Sequence, residues 1–236
     1  MPDFSKRSDE VEIMDDLNYS GVKMDQTLRE IEVINKWLGG NRVTLDGINR
    51  LLRHRNDGGA ITIADLGCGE GGMLHVIASW TRKNNRSAKL LGIDANPYII
   101  DLARKRLGPE QQIQFQAIDV FSPAFRSQRF DIVIGTLFFH HFTEKQLVTF
   151  FTQLKDQVEI GFLINDVHRH PLAFYSIKLL TGLLSKSSMV KYDAPLSVLR
   201  AFKKDELIGI LQKSGIENFT IKWKWAFRWQ VLVYKV

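Results

Sequence analysis

Cysteine is almost absent from this 236-residue chain, and long hydrophobic segments are absent altogether. The single cysteine, Cys68, excludes an intrachain disulfide. The longest apolar runs, at 137–142 and 172–184, are too short or too interrupted to span a bilayer. Residues 1–7 also lack the apolar centre of a secretory signal. We therefore expect a cytoplasmic protein with no membrane span.

The chain has little concentration of charge, although its formal net charge is +6. Its basic residues are scattered and mostly have acidic neighbours, and no basic–aromatic motif accompanies them. A solvated basic surface explains this pattern better than a nucleic-acid site. The length and the 44% hydrophobic content predict one α/β domain with a full core and some additions.

A glycine-rich stretch follows apolar residues 61–63 and precedes a helical pattern that begins at Met73. The stretch reads Ala64-Asp65-Leu66-Gly67-Cys68-Gly69-Glu70-Gly71-Gly72. Glycines this close together permit a tight turn and a close approach to a ligand, and the first N–H groups of the next helix point at that ligand. The pattern is typical of a nucleotide-type site.

Carboxylates in this stretch help to decide which nucleotide it binds. Gly67, Gly69 and Gly72 also fit the G-x-G-x-x-G spacing of dinucleotide-binding folds, so a nicotinamide-dependent oxidoreductase is one alternative. Asp65 and Glu70, however, would crowd a pyrophosphate, and like charges repel. A ligand with a sulfonium, an ammonium group and no phosphate is favoured, and S-adenosylmethionine has this chemistry.

The same stretch resembles the first motif of the class I S-adenosylmethionine-dependent methyltransferases. That motif is an acidic residue followed by G-x-G-x-G, matched here by Asp65, Gly67, Gly69 and Gly71. The resemblance implies a Rossmann-like α/β fold, S-adenosylmethionine as cofactor and methyl transfer as the reaction. It covers residues 60–166 and 200–236.

Two later strands also end on carboxylates. The apolar strand 89–94 ends on Asp94, which we expect to accept both ribose hydroxyls. The alternating strand 112–119 ends on Asp119, and the family resemblance implies that Asp119 takes the adenine amino group while Val120 offers a backbone N–H. The predicted cofactor-binding residues are Asp65, Gly67, Cys68, Gly69, Gly71, Asp94, Ala95, Asp119 and Val120.

The order of strand and helix patterns predicts five parallel strands. A C-terminal antiparallel hairpin follows, because residues 219–225 alternate between apolar and polar and 229–234 form another strand. By the resemblance, this hairpin closes the sheet of a class I methyltransferase, unlike the ordinary dinucleotide fold. We divide the chain into an N-terminal arm and helical cap, 1–59, and a methyltransferase domain, 60–236.

Three parts of this division carry further expectations. Residues 1–22 are predicted to form a loose arm, and 56–59 a loop after two amphipathic helices. Residues 167–200 are predicted to form a helical insert after the fifth strand, broken at 192–195. Its apolar face is expected to close over the site as a lid, with a homodimer interface or ordinary core as the alternatives.

Four of the six histidines follow the fourth and fifth strands, where the mouth of such a fold lies. His140 and His141 follow the fourth strand, and His168 and His170 follow the fifth. A histidine with an ordinary pKa near ~6.5 suits a general base at neutral pH. We favour His140 or His141 as the base, with Asp166 or His168 as its helper.

Histidines from two adjacent loops also suit zinc, so a metal site is an alternative. Metal-dependent catechol-type methyltransferases, however, carry a carboxylate after the fourth strand, and Thr136 and its successors supply none. Asn165 and Asp166 match only the second half of that ligand pattern. We therefore predict no metal. The sequence at 135–138 also lacks the Asn/Asp-Pro-Pro-Tyr/Phe motif of enzymes that methylate nucleic-acid amines.

These features together predict methyl transfer to a small aromatic or phenolic molecule, with O-methylation favoured. The acceptor pocket is expected from Phe138, Phe139, Phe142 and the insert. A similarity to bacterial methyltransferases of secondary metabolism implies the same acceptor class. Methylation of protein or RNA is one alternative, and a non-catalytic S-adenosylmethionine-binding module is another.

Overall fold

A computed structural model of the chain describes residues 2–54, 59–108 and 112–235. The predicted loop at 56–59 lies outside these residues except for Gly59. The helices are α1 (Val22–Trp37), α2 (Gly40–Leu51), α3 (Gly72–Lys83), α4 (Pro97–Leu107), α5 (Pro123–Arg126), α6 (Glu144–Leu154), α7 (Pro171–Leu184), α8 (Ser188–Arg200) and α9 (Lys204–Lys213). The strands are β1 (Ile61–Leu66), β2 (Ala88–Asp94), β3 (Ile113–Ala117), β4 (Phe130–Thr136), β5 (Val158–Val167), β6 (Phe219–Lys224) and β7 (Arg228–Tyr234).

The strands form one sheet in the order β3–β2–β1–β4–β5–β7–β6. The first five strands are parallel, and β7 runs antiparallel to both β5 and β6. This confirms the predicted Rossmann-like sheet closed by a hairpin. Strand order reverses between β1 and β4, so the carboxyl ends of these two strands flank the crevice where such folds bind ligands.

Helices cover both faces of the sheet because each face presents an apolar core. On one face, Ile48 of α2 and Ile77 of α3 belong to a core cluster shared with β1. On the other face, Phe125, Phe150 and Leu211 from α5, α6 and α9 form a second cluster. Burying each such side chain stabilises the fold by about 1.5–3 kcal/mol. Of the predicted cap, α2 therefore belongs to a helical layer of the sheet.

Side-chain caps fix where the helices begin at the carboxyl edge of the sheet. Asn96 accepts a hydrogen bond from the Tyr98 N–H at 2.9 Å, and Pro97 occupies the first turn of α4. Thr143 and Gln146 form a reciprocal capping box at the start of α6. The segments after β2 and β4 consequently turn sharply beside the crevice.

The N-terminal arm is ordered against the insert, in contrast to the loose arm that we expect. Asp193 of α8 accepts the backbone N–H groups of Ile13 at 2.9 Å and Met14 at 3.1 Å. The Ser8 N–H donates to the Leu199 carbonyl at 3.0 Å. The arm is polar, which suggested disorder, but its polar groups find partners nearly two hundred residues away.

The insert contains two helices, and its predicted break at 192–195 is wrong. Pro195 lies inside α8, and the chain turns earlier, where the Ser187 hydroxyl accepts the Val190 N–H at 3.2 Å. Pro195 removes one helical hydrogen bond, but Met189 and Leu196 are buried and hold the helix in place.

Within the described ranges, no helix has both the length and the apolar character needed to cross a membrane.

Candidate active site

A cavity of about 900 Å³ opens at the carboxyl edge of the sheet. Its walls come from the N-terminal arm, α1, the glycine turn after β1, the ends of β2 and β3, the segment after β4, and Arg200 of α8. Pockets for small ligands measure roughly 300–1,000 Å³, so this cavity has room for a nucleoside cofactor and part of a second molecule.

The glycine turn forms one wall of the cavity. Gly67, Gly69 and Gly71 have φ angles of 65°, 53° and 78°, in the left-handed region that glycine adopts most easily. A Cβ placed on Gly69 would meet nothing nearer than a Leu28 methyl at 3.8 Å, so the space beside this backbone is open. Gly72 begins α3 at the wall, where the free N–H groups of the helix start lie.

Two buried carboxylates lie beside this turn. Asp65 is 2% exposed, and burial together with the nearby Asp94 raises its pKa to about 8. Burial also raises the pKa of Asp94, although Asn96 and Gly69 donate N–H groups to it at 3.0 and 3.4 Å. Asp65 therefore holds its proton at neutral pH, and a positive charge placed beside the pair would favour the ionised form of both acids.

Glu70, the other acid of the glycine turn, has cationic partners. Its carboxylate lies 2.7 Å from Arg106 Nη1 and 4.0 Å from Arg29 Nε. Burial still raises its pKa, but the two arginines oppose that shift. The negative charge of Glu70 is therefore largely balanced by these arginines and is less available to a ligand than the sequence suggests.

The predicted adenine end lies on the same wall. Asp119 is exposed at the rim and accepts the Phe121 N–H at 2.9 Å, while Val120 is buried. Cys68 is buried as well, and burial raises the pKa of its thiol far above the usual range, which fits a packed side chain. Of the nine predicted cofactor residues, only Gly71 does not line the cavity.

His140 lines the cavity but is held between two carboxylates. It lies in a short 3₁₀ helix, Phe139–His141, and is 2% exposed. Its Nδ1 is 2.7 Å from Asp166 Oδ1, and its Nε2 is 3.5 Å from Glu12 Oε1. Burial alone would lower the pKa of His140, but Asp166 and Glu12 raise it to about 10. His140 is therefore a cation at neutral pH.

His141 is the more accessible histidine, with 16% of its side chain exposed. Its Nδ1 lies 2.6 Å from Asp15 Oδ1, and its ring centroid is 4.2 Å from that of His140. Arg200 donates to Asp15 Oδ2 at 2.7 Å and to the His141 carbonyl at 2.6 Å. Burial would raise the pKa of Asp15, but His141 and Arg200 lower it to about 2, so Asp15 is ionised.

The sequence did not point to Glu12, Asp15, Arg7 or Arg200. Arg7 donates to the His140 carbonyl at 2.8 Å and to the Arg200 carbonyl at 2.6 Å. Glu12 and Asp15 belong to an acidic arm without helical or strand periodicity, and Arg200 ends the insert. A contact between segments so far apart produces no pattern that can be recognised in a single sequence.

Three ligand-type atoms in this cluster lie within 4.8 Å of one another and could hold a metal ion: Glu12 Oε1, His140 Nε2 and His141 Nδ1. The Arg200 Nε, however, lies 3.7 Å from that same oxygen. The carboxylates of the cluster are Glu12, Asp15 and Asp166, and its cations are Arg7, Arg200 and His140. These charges balance, so an added dication would meet cations that already neutralise the acids.

The structure separates the other predicted catalytic residues from the cavity. His168 packs against Trp229 and His170, with ring centroids 4.8 and 5.4 Å apart, and does not line the cavity. Asp166 is fully buried. Its carboxylate accepts the backbone N–H of His140 at 3.1 Å and also contacts the His140 imidazole. Asp166 thus reaches the cavity only through His140.

An aromatic wall borders part of the cavity. Phe121, Phe138 and Phe142 line it, and Phe142 packs edge-on against the other two at centroid distances of 5.3 and 5.0 Å. A Cβ on Gly67 would lie 2.4 Å from Phe138, so this ring rests directly on the glycine turn. Phe139, predicted for the pocket, is instead 1% exposed in the core.

Comparisons with known proteins agree with this geometry. A family model described as a methyltransferase domain matches residues 63–161. The structure resembles magnesium protoporphyrin IX methyltransferase from Synechocystis PCC 6803 with bound S-adenosylhomocysteine: TM-score 0.56, 16% identity, covering 86% of this chain and 87% of that one. It also resembles human N-acetylserotonin methyltransferase in complex with S-adenosylmethionine: TM-score 0.60, 16% identity, 91% and 56%.

A third similar structure is the CurJ carbon methyltransferase: TM-score 0.60, 14% identity, covering 82% of this chain and 54% of that one. The chain therefore spans little more than half of the last two proteins. A sequence comparison with curated proteins gives no match.

Sheet order, the glycine turn and the placement of the carboxylates define an α/β protein of the class I methyltransferase fold. With the family-model match over residues 63–161, this part of the chain is a methyltransferase domain, and S-adenosylmethionine is its methyl donor.

Proposed function

We propose that this methyltransferase acts on a hydroxyl group of a small aromatic molecule, of the kind made in secondary metabolism. The observation that carries the proposal is the meeting of an aromatic wall with the His141–Asp15 pair in the cofactor cavity. Aromatic side chains bind a flat ring by stacking or edge contacts. An imidazole at the same wall is a suitable general base for a hydroxyl proton.

The part of the cavity formed by the glycine turn and the ends of β2 and β3, here called the cofactor half, suits S-adenosylmethionine. When bound, this cofactor supplies an electrophilic methyl group on a cationic sulfur. We assign Gly67 and Gly69 to backbone contact with this cofactor, Asp94 to the ribose hydroxyls and Asp119 to the adenine amino group. The raised pKa values of Asp65 and Asp94 support a cationic ligand without phosphate, because a positive charge beside these acids would favour their ionised forms.

We assign proton removal to His141. His140 is unsuited to this step because it already holds a proton at neutral pH. Asp15 lies 2.6 Å from His141 Nδ1 and is ionised, so it stabilises the imidazolium that forms when His141 takes the acceptor's proton. His140, fixed by Asp166 and Glu12, packs against the His141 ring and holds its orientation.

Closure by the N-terminal arm favours a small acceptor over a polymer. Glu12 is buried, and Lys6 to Asp9 line the cavity together with the histidines. A covered site also excludes water from the reacting groups. Magnesium protoporphyrin IX and N-acetylserotonin, the molecules for which two of the similar structures are named, are small acceptors too.

The test is a turnover assay with S-adenosylmethionine carrying a labelled methyl group. We expect label in phenols or hydroquinones from a small panel, with the methyl on oxygen by product mass spectrometry and NMR. A methyl on carbon would replace the hydroxyl assignment with C-methylation. Turnover on protein or RNA alone would overturn the proposal. Binding of S-adenosylhomocysteine without turnover on any acceptor would favour a non-catalytic module.

A further inference from the structure

One side of α7 is apolar and faces outward. Its exposed residues recur every three or four positions and so form a single stripe, with an additional leucine at its end. They are Leu172 (61% exposed), Tyr175 (53%), Leu179 (64%), Leu183 (74%) and Leu184 (61%). We call this stripe the outer face of α7. Single exposed leucines are ordinary, but a continuous stripe of this kind marks an interaction surface.

The opposite side of α7 supplies the packing that the fold needs. Ala173, Phe174 and Thr181 are buried, and the Phe174 ring lies 5.6 Å from that of Phe4 in the N-terminal arm. The outer face also contributes no residue to the active-site cavity. Neither the core nor the catalytic site therefore explains why these side chains are apolar.

The exposed charges along α7 and the segment that follows it are of one sign. Lys178, Lys186 and Lys191 are exposed along or just beyond α7. The sequence from 167 to 192 contains no aspartate or glutamate. Glu30 of α1 approaches the end of α7, but its carboxylate accepts hydrogen bonds from Ser185 and from the backbone after it. The apolar stripe consequently has a basic border.

We propose that the outer face of α7 docks on a membrane surface rich in anionic phospholipid. Leucines at this spacing enter the boundary between headgroups and acyl chains, while lysines extend to the phosphate and carboxylate groups of the lipids. A second copy of the chain fits less well, because two such faces would bring lysines together without carboxylates to pair them. In this arrangement α7 lies parallel to the membrane surface, at the boundary between water and lipid. The proposal does not depend on the identity of the methyl acceptor.

Vesicle sedimentation tests the proposal with the full chain. We expect the protein to sediment with vesicles containing about one quarter phosphatidylserine and to stay in solution with pure phosphatidylcholine, with binding that weakens as salt rises. The double variant Leu179→Glu, Leu183→Glu should reduce the bound fraction about tenfold or more. Lys178→Glu should reduce it by roughly fivefold.

A matched control places two glutamates on another helix. Val22 and Trp37 of α1 are 81% and 67% exposed and do not line the cavity, so Val22→Glu, Trp37→Glu should leave vesicle binding unchanged. Circular dichroism and S-adenosylhomocysteine affinity verify that each variant folds.

Equal binding to neutral and anionic vesicles, or equal loss in both double variants, would overturn the proposal. A wild-type dimer that the Leu179→Glu, Leu183→Glu variant dissociates, with no vesicle binding, would assign the face to a second copy instead. Methyl transfer to a small acceptor is measured separately, so neither result depends on the proposed reaction.

Discussion

The two halves of the active-site cavity are built in different ways. The cofactor half comes from a contiguous turn at 65–72 and from the ends of neighbouring strands. The proposed acceptor half brings together Glu12 of the arm, His141 after β4 and Arg200 of the insert, which are far apart in sequence. A short motif specifies the first half, whereas only the complete fold assembles the second.

The two halves also differ in charge. Asp65 and Asp94 leave the cofactor half with buried acids whose pKa values are raised. In the acceptor half the cationic His140 and two arginines balance the carboxylates. A cationic ligand would therefore favour ionisation of the acids in the first half, whereas the second half holds a fixed hydrogen-bond network around one accessible histidine.

The largest expected effect is on turnover, from His141→Ala. Loss of a general base lowers turnover by roughly 10²–10⁴-fold. The affinity for S-adenosylhomocysteine, measured by calorimetry, should stay the same because His141 belongs to the acceptor half. His75→Ala on the exposed side of α3 is the control and should leave both quantities unchanged. Normal turnover in His141→Ala would contradict the assignment of His141 as the general base.

Asp94→Ala should have the next largest effect, this time on the cofactor half. Hydrogen bonds to a charged group contribute about 1.5–3 kcal/mol, so loss of the ribose contacts should weaken S-adenosylhomocysteine binding by roughly 100-fold. Asp101→Ala is the control because Asp101 is an exposed acid of α4 paired with Arg104. An unchanged dissociation constant for Asp94→Ala would contradict the assignment of Asp94 to the ribose.

Much of the fold was predictable because its determinants are local. Apolar runs and alternation gave the strands, and Asn96 with Pro97 marked the start of α4. The break assigned to 192–195 failed because tertiary packing holds Pro195 inside α8. Local preference loses at such a position when burial of the neighbouring residues outweighs one missing hydrogen bond.

The two halves of the site also differ in how far local sequence determines them. Eight of the nine predicted cofactor residues line the cavity, because a turn after a strand fixes its neighbours directly. In the acceptor half, the prediction treated His140 and His141 alike. Only the fold shows that the His140 side chain is buried against Asp166, whereas 16% of the His141 side chain is exposed. His168 was grouped with them by its place after β5, although it packs against Trp229.

Glu12→Gln tests whether the arm belongs to the acceptor half. Glu12 is 1% exposed beside His140, His141 and Arg200, so removing its charge weakens the network that orients His141. We expect turnover to fall by about tenfold and S-adenosylhomocysteine affinity to stay within about twofold. Glu10→Gln, at an exposed position of the same arm, should match the wild type. A loss of S-adenosylhomocysteine affinity equal to the loss of turnover would contradict this prediction, because Glu12 would then support the cofactor half as well.

The smallest effect concerns stability against pH. The pKa of His140 is about 10 in the folded protein, against about 6.5 in an unfolded chain. Protonation of His140 therefore stabilises the fold fully below pH ~6.5, and this contribution disappears as the pH rises to about 10. Asp15 acts in the opposite direction, because its lowered pKa of about 2 gives a contribution that is lost as acid protonates it.

Thermal unfolding followed by circular dichroism at constant ionic strength should show both the loss of stability at alkaline pH and the loss at acid pH. The unfolding midpoint should fall by at least a few degrees between pH ~7 and ~10, since about 1 kcal/mol shifts the midpoint of a domain this size by roughly 2–4 °C. In Glu12→Gln the alkaline decline should begin at lower pH, because one of the two carboxylates that raise the pKa of His140 is gone. Parallel alkaline curves for the two proteins would mean that Glu12 does not act on His140. The arm would then cover the acceptor half without tuning its charge.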